Sequence, residues 1–304
     1  MQLLGFILIY PILWLVSILP FKALYALSDL LYFFIYRIFK YRKKVVKANL
    51  RLVFPDKSTE DIEKICSKFY SHLCDMFLEM IKSLSISKSE VQKRFVVKNQ
   101  ENLQTLDSGK SSCILMYGHY ASYEWSMAIQ ALVNCKGIAI YKKVANTYFD
   151  KLVKQIRSKF NTELVDTRNA LKRIEDVVKN DDHTMIAFLS DQSPKIKEKN
   201  YWLEFMGITI PCFIGAEKTA KQHNLPVGFL KVNKVKRGFY EAEIEIITLN
   251  PNQEEDYYIT KTFNRLLEQQ IHNKPEYYLW THKRWKHIGL MTRDNNLVQT
   301  EPNS

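Results

Sequence analysis

The sequence lacks every short motif that would settle its chemistry on sight. It contains no G-x-S-x-G, no H-E-x-x-H, no phosphate-binding glycine loop and no G-x-G-x-x-G. Those absences remove the serine-hydrolase elbow, the zinc-protease helix, the P-loop and the dinucleotide fingerprint as readings. No C-x-x-C occurs, and the five cysteines (Cys66, Cys74, Cys113, Cys135, Cys212) are odd in number. That is no disulfide framework; it fits a reducing compartment, and the Cys/His spacing supplies no zinc set. Neither a metal nor a cofactor is therefore expected. There is no internal repeat, no low-complexity tract and no recognisable nucleic-acid module, so nucleic acid is not an expected partner. Residues 3–19 lack any charge, and no basic residue precedes them, which disfavours a cleaved signal peptide.

What is present begins with that charge-free stretch. Seventeen residues without a charge are the short end of what spans a bilayer. After Pro20 a second apolar run, Ala23 to Tyr36, carries Asp29 inside it; the sequence leaves open whether it spans, lies in the interface or packs on the body. Residues 1–50 hold seven Lys/Arg and one acid, +6 of the chain's net +12. A basic cluster from Arg37 to Arg51 directly after apolar sequence favours anionic lipid as the partner and holds the downstream chain on the cytoplasmic side. The 13% aromatic content suits a protein seated at a membrane interface. The expected organisation is a membrane anchor or interfacial segment over residues 1–40, an α/β domain over 41–290, and a polar, disordered tail over 291–304.

Within the body, apolar positions from Ile62 to Ile81 recur at three-to-four spacing and predict a helix over 59–84, with Thr59 as N-cap. Short apolar stretches at 113–117, 137–141, 185–189, 227–232 and 240–249 read as strands. Helical patterns near 122–134, 147–159, 168–179, 213–223 and 254–272 separate them. Alternating strands and helices predict an α/β fold, a mostly parallel central sheet flanked by helices. The last strand alternates apolar and acidic residues, so one of its faces should be wet.

The chemistry concentrates in Met116-Tyr117-Gly118-His119-Tyr120-Ala121-Ser122-Tyr123-Glu124-Trp125. Ligands of α/β sheets bind beyond the carboxyl ends of strands, and His119 stands just past the first buried one. From a loop position Glu124 can reach one ring nitrogen of His119, leaving the other to act as a general base. Such a pair removes a hydroxyl proton as the oxygen attacks a thioester, with no serine or cysteine nucleophile.

Three ordered elements give this motif a context. They are the His119/Glu124 spacing, the run Tyr41-Arg42 with Asn49-Leu50-Arg51-Leu52 and Phe54-Pro55, and Pro275-Glu276-Tyr277-Tyr278-Leu279-Trp280-Thr281-His282-Lys283-Arg284-Trp285-Lys286. Together they resemble the late acyltransferases of lipid A biosynthesis, a branch of the lysophospholipid acyltransferase superfamily marked by H-x4-E. The resemblance implies a glycerolipid-acyltransferase-like fold with an N-terminal membrane-anchoring helix. It implies transfer of a fatty acyl chain from acyl carrier protein to a hydroxyl of a phosphorylated glycolipid at the inner membrane. An aminolipid or other glycolipid is the alternative acceptor. His119, Glu124 and Arg157 are then catalytic, and Arg168, Asp191, Gln192, Lys142 and Arg284 meet the substrate. Phe205 and Gly207 resemble a loop lining the acyl channel, whereas Trp280 and Trp285 are expected to pack the last segment onto the body. Many family members carry Gly, Asn and Trp where this chain has Ala121, Ser122 and Tyr123, a departure that bears on the acceptor.

Overall fold

The computed structural model describes residues 2–107, 112–196 and 200–290; the predicted polar tail lies outside them. The chain opens with α1 (Gln2–Ile18) and α2 (Phe21–Tyr32), which runs into a π-helical turn at Phe33–Ile38. Next come α3 (Lys43–Val53), α4 (Thr59–Lys82) and α5 (Lys88–Arg94). Strands and helices then alternate: β1 (Phe95–Val97), α6 (Gln100–Asp107), β2 (Cys113–Tyr117), β3 (Lys136–Tyr141), α7 (Thr147–Arg157), β4 (Thr162–Asp166), α8 (Ala170–Lys179) and β5 (Thr184–Leu189). A hairpin of β6 (Tyr201–Phe205) and β7 (Ile208–Cys212) precedes α9 (Gly215–His223), β8 (Val227–Lys236), β9 (Phe239–Thr248) and α10 (Tyr258–Asn273).

Seven strands form one sheet in the order β1-β9-β8-β2-β5-β3-β4. All neighbours pair in parallel except β8 and β9, an antiparallel hairpin. The expected mostly parallel α/β sheet is therefore the one observed. β2 lies at its centre with all five residues buried, as a continuous apolar run covered on both faces requires. On β9 the buried residues alternate with Glu241, Glu243 and Glu245, which pair with Lys98 and Lys231 on the wet face.

Some expectations shift. Ser58, not Thr59, caps α4: its backbone is extended and its hydroxyl accepts from the Asp61 N–H at 3.1 Å. The helix expected over 122–134 is only a 3-10 segment, Trp125–Ala131. β1, β4 and the β6–β7 hairpin were not expected. β4 is an edge strand, and Thr162-Glu163-Leu164-Val165-Asp166 holds too few apolar residues to stand out as buried.

The N-terminal segment departs furthest from the anchor reading. No helix among the described residues is long and apolar enough to cross a membrane. α1, at 17 residues, spans about 26 Å at a rise of 1.5 Å per residue. One stripe of it lies on the body, where Phe6 stacks on Tyr148 and meets Phe149 edge-on. Lys82 donates to the Ser17 and Leu19 carbonyls at 2.7 and 2.8 Å, satisfying acceptors that the end of α1 leaves open. Leu4, Leu8, Ile12 and Leu15 remain exposed.

The second apolar run packs on the body, and its lone acid explains why. Arg237, at the turn between β8 and β9, bridges Asp29 of α2 and Asp75 of α4, each at 2.7 Å. Lys234 also meets Asp75, and Ser28 donates to it. One turn along α4, buried Glu79 accepts from Tyr25 and Tyr240, each at 2.8 Å. Burial lifts the Glu79 carboxyl to about 7, against the opposing pull of Lys234 and the two hydroxyls.

Candidate active site

His119 follows the carboxyl end of β2, where Gly118 passes so close to α10 that a Cβ there would stand 2.7 Å from Leu267 Cδ1. Three backbone contacts hold the loop against the Pro275–Lys286 segment. Leu279 N–H donates to the His119 carbonyl at 3.1 Å, Ala121 N–H to the Tyr277 carbonyl at 3.0 Å, and Tyr120 bridges Tyr278. Ala121 is left-handed, with φ +48°. That conformation favours glycine.

The partner of His119 is Asp191, just past the carboxyl end of the neighbouring strand β5. Asp191 Oδ1 lies 2.7 Å from His119 Nδ1, and Oδ2 accepts the His119 backbone N–H at 3.0 Å. Asp191 is buried. Burial alone would raise its carboxyl, but the His119 charge and hydrogen bonds, with Arg284 beyond, hold it below the ordinary carboxylate range. On the other side of the ring, Gln192 Nε2 lies 3.3 Å from His119 Nε2. An amide nitrogen only donates, so Nε2 is the acceptor and Nδ1 carries the proton toward Asp191. The edge of Tyr123 closes on the imidazole, with ring centroids 4.9 Å apart.

Glu124 does not occupy the place the spacing suggested. Its carboxylate is clamped by Arg157 at the end of α7: Nη2 to Oε1 at 2.6 Å and Nε to Oε2 at 3.1 Å. No hydrogen bond among the described residues joins it to His119, because the turn after His119 aims Glu124 toward α7. Burial disfavours the Arg157 charge, but Glu124 outweighs this and the guanidinium is held even more firmly protonated than usual. Its Nη1 makes no hydrogen bond among the described residues. Glu124 is buried and Arg157 half-buried, with 27% of its side chain exposed.

The remaining candidates scatter. Gln192 joins the site. Arg168 is exposed and folds back on Asp166 at 2.8 Å; Lys142 is exposed just past β3. Arg284 is fully buried, donating to the Pro211 carbonyl at 2.9 Å and to Cys212 at 3.0 Å over the Phe205 ring. Its charge supports Asp191 from behind and offers no surface to a substrate. Phe205 is core, stacked with Trp285, and Gly207 with Met206 forms the positive-φ turn of the β6–β7 hairpin. Trp280 and Trp285 are buried and stacked at 5.8 Å, the packing role expected of them.

Two further residues of the last segment complete the surroundings of Asp191. Tyr278 is buried beside Asp191, and burial first, then the Asp191 charge, holds its phenol protonated well above the ordinary range. His282 Nε2 accepts the Ser193 N–H at 3.2 Å, and burial depresses its pKa to about 4, so it is neutral. Their role is invisible in sequence because the two segments lie some 90 residues apart; only the dense aromatic and basic run at 277–286 signals them.

A model of the bacterial lipid A biosynthesis acyltransferases matches residues 2–287. The chain belongs to that family. A lipid A biosynthesis palmitoleoyltransferase of Escherichia coli (strain K12) is 24% identical over 290 residues, covering 90% of this chain and 89% of that protein. A lipid A biosynthesis acyltransferase of Shigella flexneri matches to the same extent. A lauroyltransferase of the same pathway in E. coli is 24% identical over 277 residues. The chain is thus an acyltransferase of lipid A biosynthesis, and the His119 loop lies within the matched span.

Proposed function

We propose that this acyltransferase moves a fatty acyl chain from acyl carrier protein to a hydroxyl of a lipid A precursor at the cytoplasmic face of the inner membrane. The observation that carries the reading is the His119–Asp191 couple at the carboxyl ends of two adjacent central strands. Asp191 fixes the tautomer, so the Nε2 lone pair faces outward, where the acceptor hydroxyl displaces the Gln192 amide. That hydroxyl loses its proton to Nε2 as its oxygen attacks the thioester carbonyl. The tetrahedral intermediate then collapses, and the departing thiolate takes the proton from the imidazolium.

Arg157, held rigid by Glu124, turns its open Nη1 toward the developing oxyanion or a substrate phosphate. A cationic donor fixed in advance in a half-buried site is worth most there. Glu124 therefore acts on Arg157, and Asp191 takes the orienting role the spacing had given to Glu124. The exposed apolar residues of α1, together with Phe33, Phe34, Ile38 and Phe39 beside the basic residues 37–51, support a seat in the interface of an anionic membrane. An apolar cleft of about 320 Å³ lined by Leu31, Ile35, Leu73, Cys74 and Phe77 lies beside that surface and suits an acyl chain.

Mass spectrometry of lipid extracts from strains with and without the gene tests the reading. Loss of one acyl chain from lipid A is expected. Intact lipid A with an acyl chain missing from an aminolipid would transfer the chemistry to the second acceptor, as the departures at Ala121, Ser122 and Tyr123 allow. Full transfer by purified His119→Ala protein would overturn the mechanism.

A further inference from the structure

At the opposite, amino end of the strands, where β2, β3 and β5 begin, a second cluster forms that the reaction does not use. Asp107 ends α6, Cys135 immediately precedes β3, and His183 immediately precedes β5. One ligand atom from each (a carboxylate oxygen, a thiol sulfur and a ring nitrogen) lies within 4.8 Å of the other two. Asp107 Oδ1 and His183 Nε2 are 3.4 Å apart. Both atoms are buried, and neither is satisfied by a hydrogen bond of good geometry; the 3.4 Å pair and the Cys135 thiol facing the same carboxylate converge on one point. Buried polar atoms left unsatisfied are uncommon and call for an explanation.

The surroundings already fix the ligands. Asp107 Oδ2 accepts the Asn134 N–H at 3.1 Å, which orients the carboxylate and leaves Oδ1 for the shared point. The Lys136 N–H donates to the His183 carbonyl at 3.2 Å, tying the Cys135 and His183 segments together. Cys135 is buried. Around a tetrahedral zinc ion, ligand atoms stand about 3.5 Å apart, so the observed spread closes with side-chain shifts of about 1 Å.

We propose that Asp107, Cys135 and His183 bind one divalent transition-metal ion of the zinc class, water completing the coordination. A thiolate, an imidazole and one carboxylate suit zinc or cobalt and not magnesium or calcium, which demand oxygen donors. The thiol proton leaves to solvent as the ion binds. The site sits at the amino ends of the strands and the base at the carboxyl ends, so the ion staples three strand starts and takes no part in acyl transfer. The ligands come from three separate segments, which is why no zinc spacing is legible in the sequence.

The test uses the full chain purified in detergent without chelators, incubated with Zn²⁺ and desalted. Elemental analysis is expected to find about one zinc per chain, falling below about a tenth in Cys135→Ser and His183→Ala. Acyl transfer by both variants should continue, and chelation should lower the Tm of the parent protein but not theirs. Co²⁺ in the unaltered chain should give a thiolate-to-cobalt charge-transfer band, which decides the matter if a variant fails to fold. A parent protein that retains no zinc and shows no such band, or folded variants that retain the metal, would overturn the proposal.

Discussion

Asp191 engages His119 twice, Oδ1 on ring Nδ1 at 2.7 Å and Oδ2 on the backbone N–H at 3.0 Å. One carboxylate therefore sets the tautomer of the base and the position of its loop. Asp191→Asn keeps the shape but puts an amide where an acceptor is needed, so it favours the wrong tautomer. A kcat loss of about 10³-fold or more is expected with KM little changed. Steady-state transfer assays read this; a variant with parental kcat would remove Asp191 from the mechanism.

The same couple gives the acid side a sign. The Asp191 carboxyl is held low in the folded protein, so its contribution to stability is full above the unfolded value of about 3.9 and is lost as pH falls through the folded one. Glu79 runs the other way. Its folded pKa is about 7 against 4.5 for the free group. Stability from its protonated form is complete at low pH, declines as pH rises past the unfolded value, and is gone above about 7. Glu79→Gln, which mimics the protonated form by accepting from one tyrosine hydroxyl through Oε1 and donating to the other through Nε2, should raise stability at pH 8 by up to about 3 kcal/mol. The gain should vanish near pH 4.5, the free group's value; thermal melts across this range give the answer, and a gain independent of pH would refute the assignment.

Glu124 and Arg157 should prove interdependent. Removing one partner leaves the other charge half-buried and unpaired, so Glu124→Gln is expected to lower stability by about 2 kcal/mol, discounted for the exposure of Arg157. Adding Arg157→Met should recover stability without restoring transfer. Denaturant melts and the transfer assay separate the two effects, and additive stability losses would argue against the pair.

Ala121 offers a backbone test. At φ +48° and buried, it should accept Gly with stability changed by no more than about 1 kcal/mol, since relief of strain and unfolded-state entropy oppose each other. Ala121→Val, branched at Cβ in the same conformation, should destabilise by about 2 kcal/mol or more and displace His119, lowering kcat. Equal stability for Gly and Val would show that the loop is not held in this conformation.

The sheet was legible because its central strands are unbroken apolar runs, while β4 and the β6–β7 hairpin were not, since an edge strand or a short hairpin buries too little to show in composition. His119 was found from its place after β2. Its partner was not, because a five-residue spacing constrains Glu124 only if the turn is helical, and Ala121 in the left-handed region sends it to α7 instead. Asp191 was named from the family resemblance as a substrate residue, but its pairing with His119 is set by β2–β5 adjacency in the sheet, which no local pattern contains. Arg284 misled for the opposite reason: a cation among aromatics looks like a surface binder, yet here its stem and head lie within the core.

Asn49 donates to the carbonyls of Trp280 and His282, and Arg42 to that of Thr281, while Leu279 secures the carbonyl of His119. The base is thus braced by a stretch made after every strand of the sheet and held in place by early helices. A nascent chain carries His119 and Asp191 long before residues 275–286 emerge, so catalytic competence arrives only when translation has passed them. Premature termination before that point would yield a protein with its sheet complete and its chemistry silent.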